Sequence, residues 1–241
     1  MSRPEHADKG TVDYFENHSH DYSPARLRHA TAMVKAHRTP QSSLVDVGCG
    51  TGNVLAVLAA STGVTDLWAM DVSASALAVA GERVACRTVH ASILDREQLR
   101  DHVDQHDFAL AAALLHHLVG RTRRSSRRDA VAGLRNALEL VRPGGHLIVF
   151  EPVCTPRVLM TALFWVKRLT TTFTGNRIGV RGYWNNIGAP LVSFYSHRGV
   201  LRMVADTGLG VVVEEQSEVV PMGRLDRLLH RSNSTLLVRR T

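Results

Sequence analysis

The chain has 241 residues, 44% of them hydrophobic, and a formal charge of +7 carried almost wholly by arginine, since Lys9, Lys35 and Lys167 are the only lysines. That length and apolar share supply the core of one large α/β domain or two small ones, while Cys49, Cys86 and Cys154 are too few and too scattered for a disulfide framework or a paired-cysteine zinc site. With a polar start, MSRPEHADKG, and a longest apolar run, 158–166, far short of the roughly 20 residues that span a bilayer, the expectation is a cytoplasmic protein without a transmembrane segment.

In chain order, a polar, His-rich start leads to helical spacing over 24–37, and a polar break precedes a short apolar strand at 43–49 that ends in glycines. A buried helix is predicted over 53–60, then a strand at 66–71, a helix over 73–84 capped by Ser73, and a third strand at 87–91. A helix over 95–103 precedes a fourth strand at 108–115, apolar on both faces as a central parallel strand requires. Arg121, Arg123, Arg124, Arg127 and Arg128 read as a solvated loop before a helix over 128–141, closed by Pro143 and Gly144, and 146–150 makes the fifth strand.

The rhythm then breaks. An apolar helix is predicted at 158–169, where Phe164 and Trp165 read as packing residues, followed by a Gly-, Asn- and aromatic-rich stretch. Ser196 caps a last helix ended by Gly208, and alternating strands follow at 211–218 and 235–239. Strands alternating with helices predict a Rossmann-like, doubly wound α/β fold: a mostly parallel seven-stranded sheet, helices on both faces and an antiparallel edge strand. The expected organisation is an N-terminal helical cap (1–40), a cofactor-binding core (41–152), a substrate-cap insertion (153–195), and a C-terminal helix and strand pair completing the sheet (196–241).

The segment Leu44 to Asn53, LVDVGCGTGN, runs a strand into glycines set closer together than in a dinucleotide fingerprint. Such glycines let the backbone approach a ligand, and Asp46 offers an acceptor for a cationic amino group beside the turn. No lysine follows, so the phosphate cradle of a P-loop is absent. Asp71 closes the second strand, where an acidic side chain can accept both hydroxyls of a ribose.

Through LVDVGCGTGN, Met70-Asp71, DFALAAALLHHL at 107–118 and LVRPGGHLIVFEP at 140–152, the chain resembles the class I S-adenosylmethionine-dependent methyltransferases, most closely their small-molecule branch. The resemblance implies S-adenosyl-L-methionine as cofactor. Asp46, Gly48, Cys49, Gly50, Gly52 and Asn53 would line its methionine part, Asp71 its ribose, and Val72 its adenine. Where the family carries an acidic residue for the adenine amino group, this chain has Ala91, Ser92 and Ile93, of which Ser92 can accept one hydrogen bond. Tyr22 and Arg26, with Tyr14, fall where related enzymes fold an N-terminal segment over the cofactor, Arg26 facing its carboxylate.

After the fourth strand, enzymes of this superfamily that methylate nucleic-acid amino groups carry an Asp/Asn-Pro-Pro-aromatic turn. This chain reads Leu114-Leu115-His116-His117 instead, which favours a small-molecule acceptor and makes nucleic acid an unfavoured partner. His116 and His117 lie at the carboxyl end of that strand and can take a proton from a hydroxyl acceptor; Glu151, at the end of the fifth strand, is the second candidate. No histidine spacing suits a metal. The acceptor is expected to be apolar or anionic, positioned by Arg157, Arg177 or Arg181 and by Tyr183, Trp184, Asn185, Asn186 and Tyr195, and the methylated atom is expected to be a hydroxyl or carboxylate oxygen. An RNA or protein methyltransferase, a lipid acceptor met through 158–169, and a non-catalytic cofactor-binding protein stay open as alternatives, as do monomer and homodimer.

Overall fold

Buried strands and one-faced helices alternate along the chain. In a computed structural model, residues 22–174, 191–223, 226 and 228–241 are described. The strands are β1 (Ser43–Val47), β2 (Asp66–Asp71), β3 (Arg87–His90), β4 (His106–Ala112), β5 (Val141–Thr155), β6 (Gly210–Val220) and β7 (His230–Arg240). They form one seven-stranded sheet in the order β3-β2-β1-β4-β5-β7-β6. β1 to β5 pair in parallel, and β7 runs antiparallel between β5 and β6, so the predicted fold class holds and an antiparallel pair makes one edge.

Helices cover both faces because each carries one apolar stripe. On one side, α1 (Arg28–His37) buries Ala30, Met33 and Val34, and it packs with α2 (Asn53–Thr62) and α3 (Ala74–Arg83) over Leu44, Phe108, Ile148 and Phe150. On the other, the short α4 (Arg96–Leu99), α5 (Arg123–Leu140) and α7 (His197–Thr207) cover Val45, Ala109, Leu147 and Leu236. The caps follow the sequence signals: Ser73 Oγ accepts from Ala76 N at 3.2 Å and Ser196 Oγ from Gly199 N at 3.2 Å.

Three expectations change. The arginine run is not a loop: Thr122 and Ser125 form a reciprocal capping box, and α5 starts at Arg123, carrying Arg123 to Arg128 on its first turns. Arginine is a good helix former, so a helix start five residues earlier than expected is well tolerated. Pro143 and Gly144 do not follow the helix as a loop either, because β5 begins at Val141 and accommodates them in an irregularity of its pairing with β4. Trp165 is not a packing residue. On α6 (Arg157–Thr174) Met160 and Phe164 face inward, whereas Trp165 is 42% and Val166 56% exposed on the outer stripe. No helix of the described residues is long and apolar enough to cross a membrane.

Candidate active site

At the carboxyl end of β1 the chain turns through three glycines with left-handed φ: Gly48 (+70°), Gly50 (+52°) and Gly52 (+75°). Two of them are also held by contact. A Cβ on Gly48 would stand 2.7 Å from Leu114 Cδ1, and one on Gly52 would stand 2.9 Å from Ala80 Cβ, so the turn is pressed between the end of β4 and α3. The Gly48 and Cys49 amides both donate to Met70 O, at 2.8 and 3.1 Å, which ties the turn to β2. Cys49 is buried and its thiol is raised far above its ordinary range by desolvation; it is a packing group, not a nucleophile. Asn53, at the start of α2, meets Thr51 and Arg83.

Asp46 lies beneath this turn. Its two carboxylate oxygens are buried and have no hydrogen-bond partner among the described residues. Burial, with Asp71 adding to the effect, pushes its carboxyl up to about 8. A buried carboxylate with both oxygens unmatched fits an ammonium group, which would restore its charge. Asp71, at the end of β2, accepts from Gly50 N at 2.8 Å and Ser73 N at 2.9 Å. Those bonds partly offset the rise that burial imposes on its carboxyl, and each oxygen keeps a lone pair for a ribose hydroxyl.

Around the next strand end, Val72 is half-buried, and its carbonyl meets His90 Nε2 at 2.9 Å. Ser92 Oγ accepts from Leu94 N, and the Ser92 amide donates to Gln98 Oε1 at 2.8 Å. Ile93 is packed into the core under α5, its carbonyl taken by Asn136 Nδ2 at 2.7 Å, so its side chain is turned inward.

β4 and β5 bring the catalytic candidates together. Ala113, just past β4, adopts φ +54° and donates to Phe150 O at 2.6 Å. This left-handed step re-aims the chain, so that the Leu115 and His116 amides both donate to the Glu151 carboxylate at 3.1 Å. His116 Nδ1 meets Glu151 Oε1 at 2.5 Å, and its ring stacks on Phe194 with 5.1 Å between centroids. Glu151 is fully buried; desolvation raises its carboxyl to about 8 against the lowering effect of those two amides. His117 lies beside His116, rings 4.0 Å apart.

The N-terminal segment closes over the same place. Tyr22 meets Phe150 edge to face at 6.1 Å, and the Arg26 guanidinium lies over the Tyr22 ring at 4.5 Å and the Phe150 ring at 5.5 Å. The Tyr22 phenol is raised chiefly by burial; Arg26 and Arg231 oppose that rise while Glu151 and Asp46 add to it, so all four converge on it. Tyr14, Arg177, Arg181, Tyr183, Trp184, Asn185 and Asn186 lie outside the described residues. Arg157 is exposed at the start of α6, and Tyr195 is buried near Arg123. Phe150 and Phe194, which pack on Tyr22, Arg26 and His116, are not singled out by the sequence reading. Phe150 had a signal, since it immediately precedes Glu151 in the fifth strand.

The family described as "Methyltransferase domain" matches residues 45–147, the stretch from the glycine strand to β5. No curated protein matches the chain by sequence. Several solved structures share the fold. Magnesium protoporphyrin IX methyltransferase from Synechocystis, crystallised with S-adenosylhomocysteine, is 13% identical with a TM-score of 0.61, covering 97% of this chain and 100% of its own. The N-methyltransferase NodS from Bradyrhizobium japonicum, also with S-adenosylhomocysteine, is 15% identical with a TM-score of 0.60, covering 97% and 99%. The 1,6-didemethyltoxoflavin-N1-methyltransferase from Burkholderia thailandensis is 18% identical with a TM-score of 0.55, covering 91% and 80%. With the glycine turn, Asp46 and Asp71 at the carboxyl ends of β1 and β2, residues 45–147 of this chain match a methyltransferase domain, on a fold shared with S-adenosylmethionine-dependent methyltransferases.

Proposed function

We propose that this methyltransferase methylates an oxygen, hydroxyl or carboxylate, of a small-molecule acceptor. The observation that carries the reading is the buried His116–Glu151 pair just past the last β4–β5 pairing, Ala112 with Phe150, at the carboxyl end of the parallel strands that also carry Asp46 and Asp71. Bound S-adenosylmethionine supplies an electrophilic methyl group on a sulfonium. Asp46 would hold its ammonium and Asp71 its ribose, with Gly48, Gly50 and Gly52 giving the backbone close approach, Asn53 at the foot of α2, and Leu114 closing the turn. Val72 and Ser92 would meet the adenine end, and Tyr22 and Arg26 the carboxylate; Arg26 already lies over the Tyr22 ring.

With His116 Nδ1 engaged by Glu151, Nε2 is the ring nitrogen that would act as the base. From there it takes the proton of a hydroxyl acceptor as that oxygen becomes the nucleophile; a carboxylate acceptor is nucleophilic already. Glu151, held by the Leu115 and His116 amides, is the positioning group for that ring. Most of the rate comes from holding acceptor and methyl in line at short distance.

The solved relatives support a small acceptor, since their names cover a porphyrin, a toxoflavin precursor and an N-methylated product. Cys49, Cys86 and Cys154 are unpaired, which suits a reducing, cytoplasmic setting. The test incubates the protein with S-adenosylmethionine and an extract of small metabolites. A metabolite gaining one CH2 unit on oxygen, lost in His116→Ala, is the expected result. Methylation confined to nitrogen acceptors, undiminished in that variant, overturns the oxygen assignment.

A further inference from the structure

Next to the cleft, on the α1 side of the sheet, a recess of about 440 Å³ opens between the chain entering α1 and the ends of β6 and β7. Its polar lining is Arg26, Arg28, Glu218, Arg231 and Asn233. The strand register explains the convergence. Arg231 and Asn233 alternate onto one face of β7, opposite Cys154 and Pro152 of β5 and opposite Val220 and Glu218 of β6. Cys154 and Pro152 continue the face of β5 that carries Phe150, on which Arg26 rests.

The charges in this recess do not cancel. Arg28 Nη1 is paired with Glu218 Oε1 at 2.8 Å. Arg26 and Arg231 make no ion pair among the described residues, although each is half-buried and they lie within each other's field. Asn233 is 7% exposed, and its side-chain oxygen has no hydrogen-bond partner among the described residues. Rotation of the amide exchanges oxygen for NH2, so this position can equally present a donor. The unpaired Arg231 guanidinium, beside a buried amide whose orphaned position can present NH2 after rotation, is the complement of a planar or tetrahedral oxyanion.

We propose that Arg231 and Asn233 bind a carboxylate or phosphate of the acceptor, with Arg26 at the recess's inner side left to the cofactor carboxylate, so that this enzyme methylates small soluble anions. This rests on the small-molecule methyltransferase reading. Arg26 lines the recess and lies over the rings of Tyr22 and Phe150, and Phe150 adjoins Glu151 in β5. An acceptor held by its anion in the recess is thereby tethered beside the reacting centre. Its remote charge contributes to alignment and not to the chemistry.

The test titrates the full chain, loaded with S-adenosylhomocysteine, with inorganic phosphate and with succinate, followed by NMR at constant ionic strength. Saturable binding is expected for at least one of the two anions. Arg231→Gln should weaken it about tenfold or more, the loss of one charge-assisted contact, while leaving S-adenosylhomocysteine affinity unchanged. Glu218→Gln should tighten it by about threefold or more, because Arg28 is released to the anion and a like charge is removed. A structural role for these residues would not produce the opposite signs. Absence of saturable anion binding in a protein that binds S-adenosylhomocysteine, or equal affinities in all three proteins, overturns the subsite and leaves the methyltransferase reading standing. Failure to bind S-adenosylhomocysteine would instead strike that reading. Displacement of phosphate by phosphatidylglycerol vesicles but not by succinate would assign the recess to a lipid headgroup and overturn the soluble acceptor.

Discussion

Cofactor binding should expel a proton from Asp46. In the free protein burial, reinforced by Asp71, raises that carboxyl to about 8, so at pH 7 about nine-tenths of the molecules carry it neutral. An ammonium against it restores the ionised form, and binding at pH 7 then releases about 0.9 proton per site. Affinity for S-adenosylhomocysteine therefore rises about tenfold per pH unit from pH 5 to 7 and levels off above pH 8. Titration calorimetry at pH 7 in PIPES and in Tris, buffers of different ionisation enthalpy, reads the proton number from the difference in observed heat. Asp46→Asn should release no proton and bind on the order of 10- to 100-fold more weakly, the worth of a charge-assisted hydrogen bond. A proton number near zero for the unaltered protein, with affinity flat from pH 6 to 8, would refute both the buried neutral carboxyl and its pairing with the cofactor amine.

The same shift bears on stability. Asp46 and Glu151 have carboxyls raised to about 8 in the folded chain, so their favourable contribution is full below their unfolded values near pH 4 and is lost as pH rises through about 8, at up to about 1.4 kcal/mol per pH unit for each group. Denaturant unfolding at pH 5, 7 and 9 should show that decline, and Glu151→Gln should flatten part of it; an unchanged slope in this variant counts against a neutral buried Glu151. Gly48→Ala should cost about 1–2 kcal/mol for its left-handed backbone, plus a clash with Leu114, whose Cδ1 would lie 2.7 Å from the new Cβ. Adding Leu114→Ala should recover the clash but not the backbone cost, as unfolding of the double variant will report. His116→Ala should lower kcat roughly 100-fold, the low end for a general base, with S-adenosylhomocysteine affinity unchanged by calorimetry; an equal loss in both would make His116 a binding or structural residue.

Local chemistry sufficed for much of the site. The closely spaced glycines after an apolar strand, and the acids at the ends of two strands, follow from what a turn of positive φ and a parallel sheet require, and Asp46 and Asp71 flank that turn as expected. Element edges were less legible. β7 was expected only from 235, because His230-Arg231-Ser232-Asn233-Ser234 has little strand propensity; pairing on both sides with β5 and β6 overrides that preference and begins the strand at His230. Arg231 was lost with it. Charge density in the arginine run points to a loop, whereas the Thr122 cap starts the helix there.

What the sequence determined by itself is the alternation of elements, the crevice at their carboxyl ends and the residue types placed there, since all of these depend on neighbours within a few positions. Tertiary structure alone decided which of those residues touch. His116 and Glu151 are 35 residues apart and meet only because β4 and β5 are adjacent and Ala113 turns the chain between them. Arg26 and Arg231 come from opposite ends of the chain and share a recess because β7 is inserted next to β5, beneath α1. Side-chain pairing across a sheet depends on strand order and register, long-range quantities that local spacing does not encode.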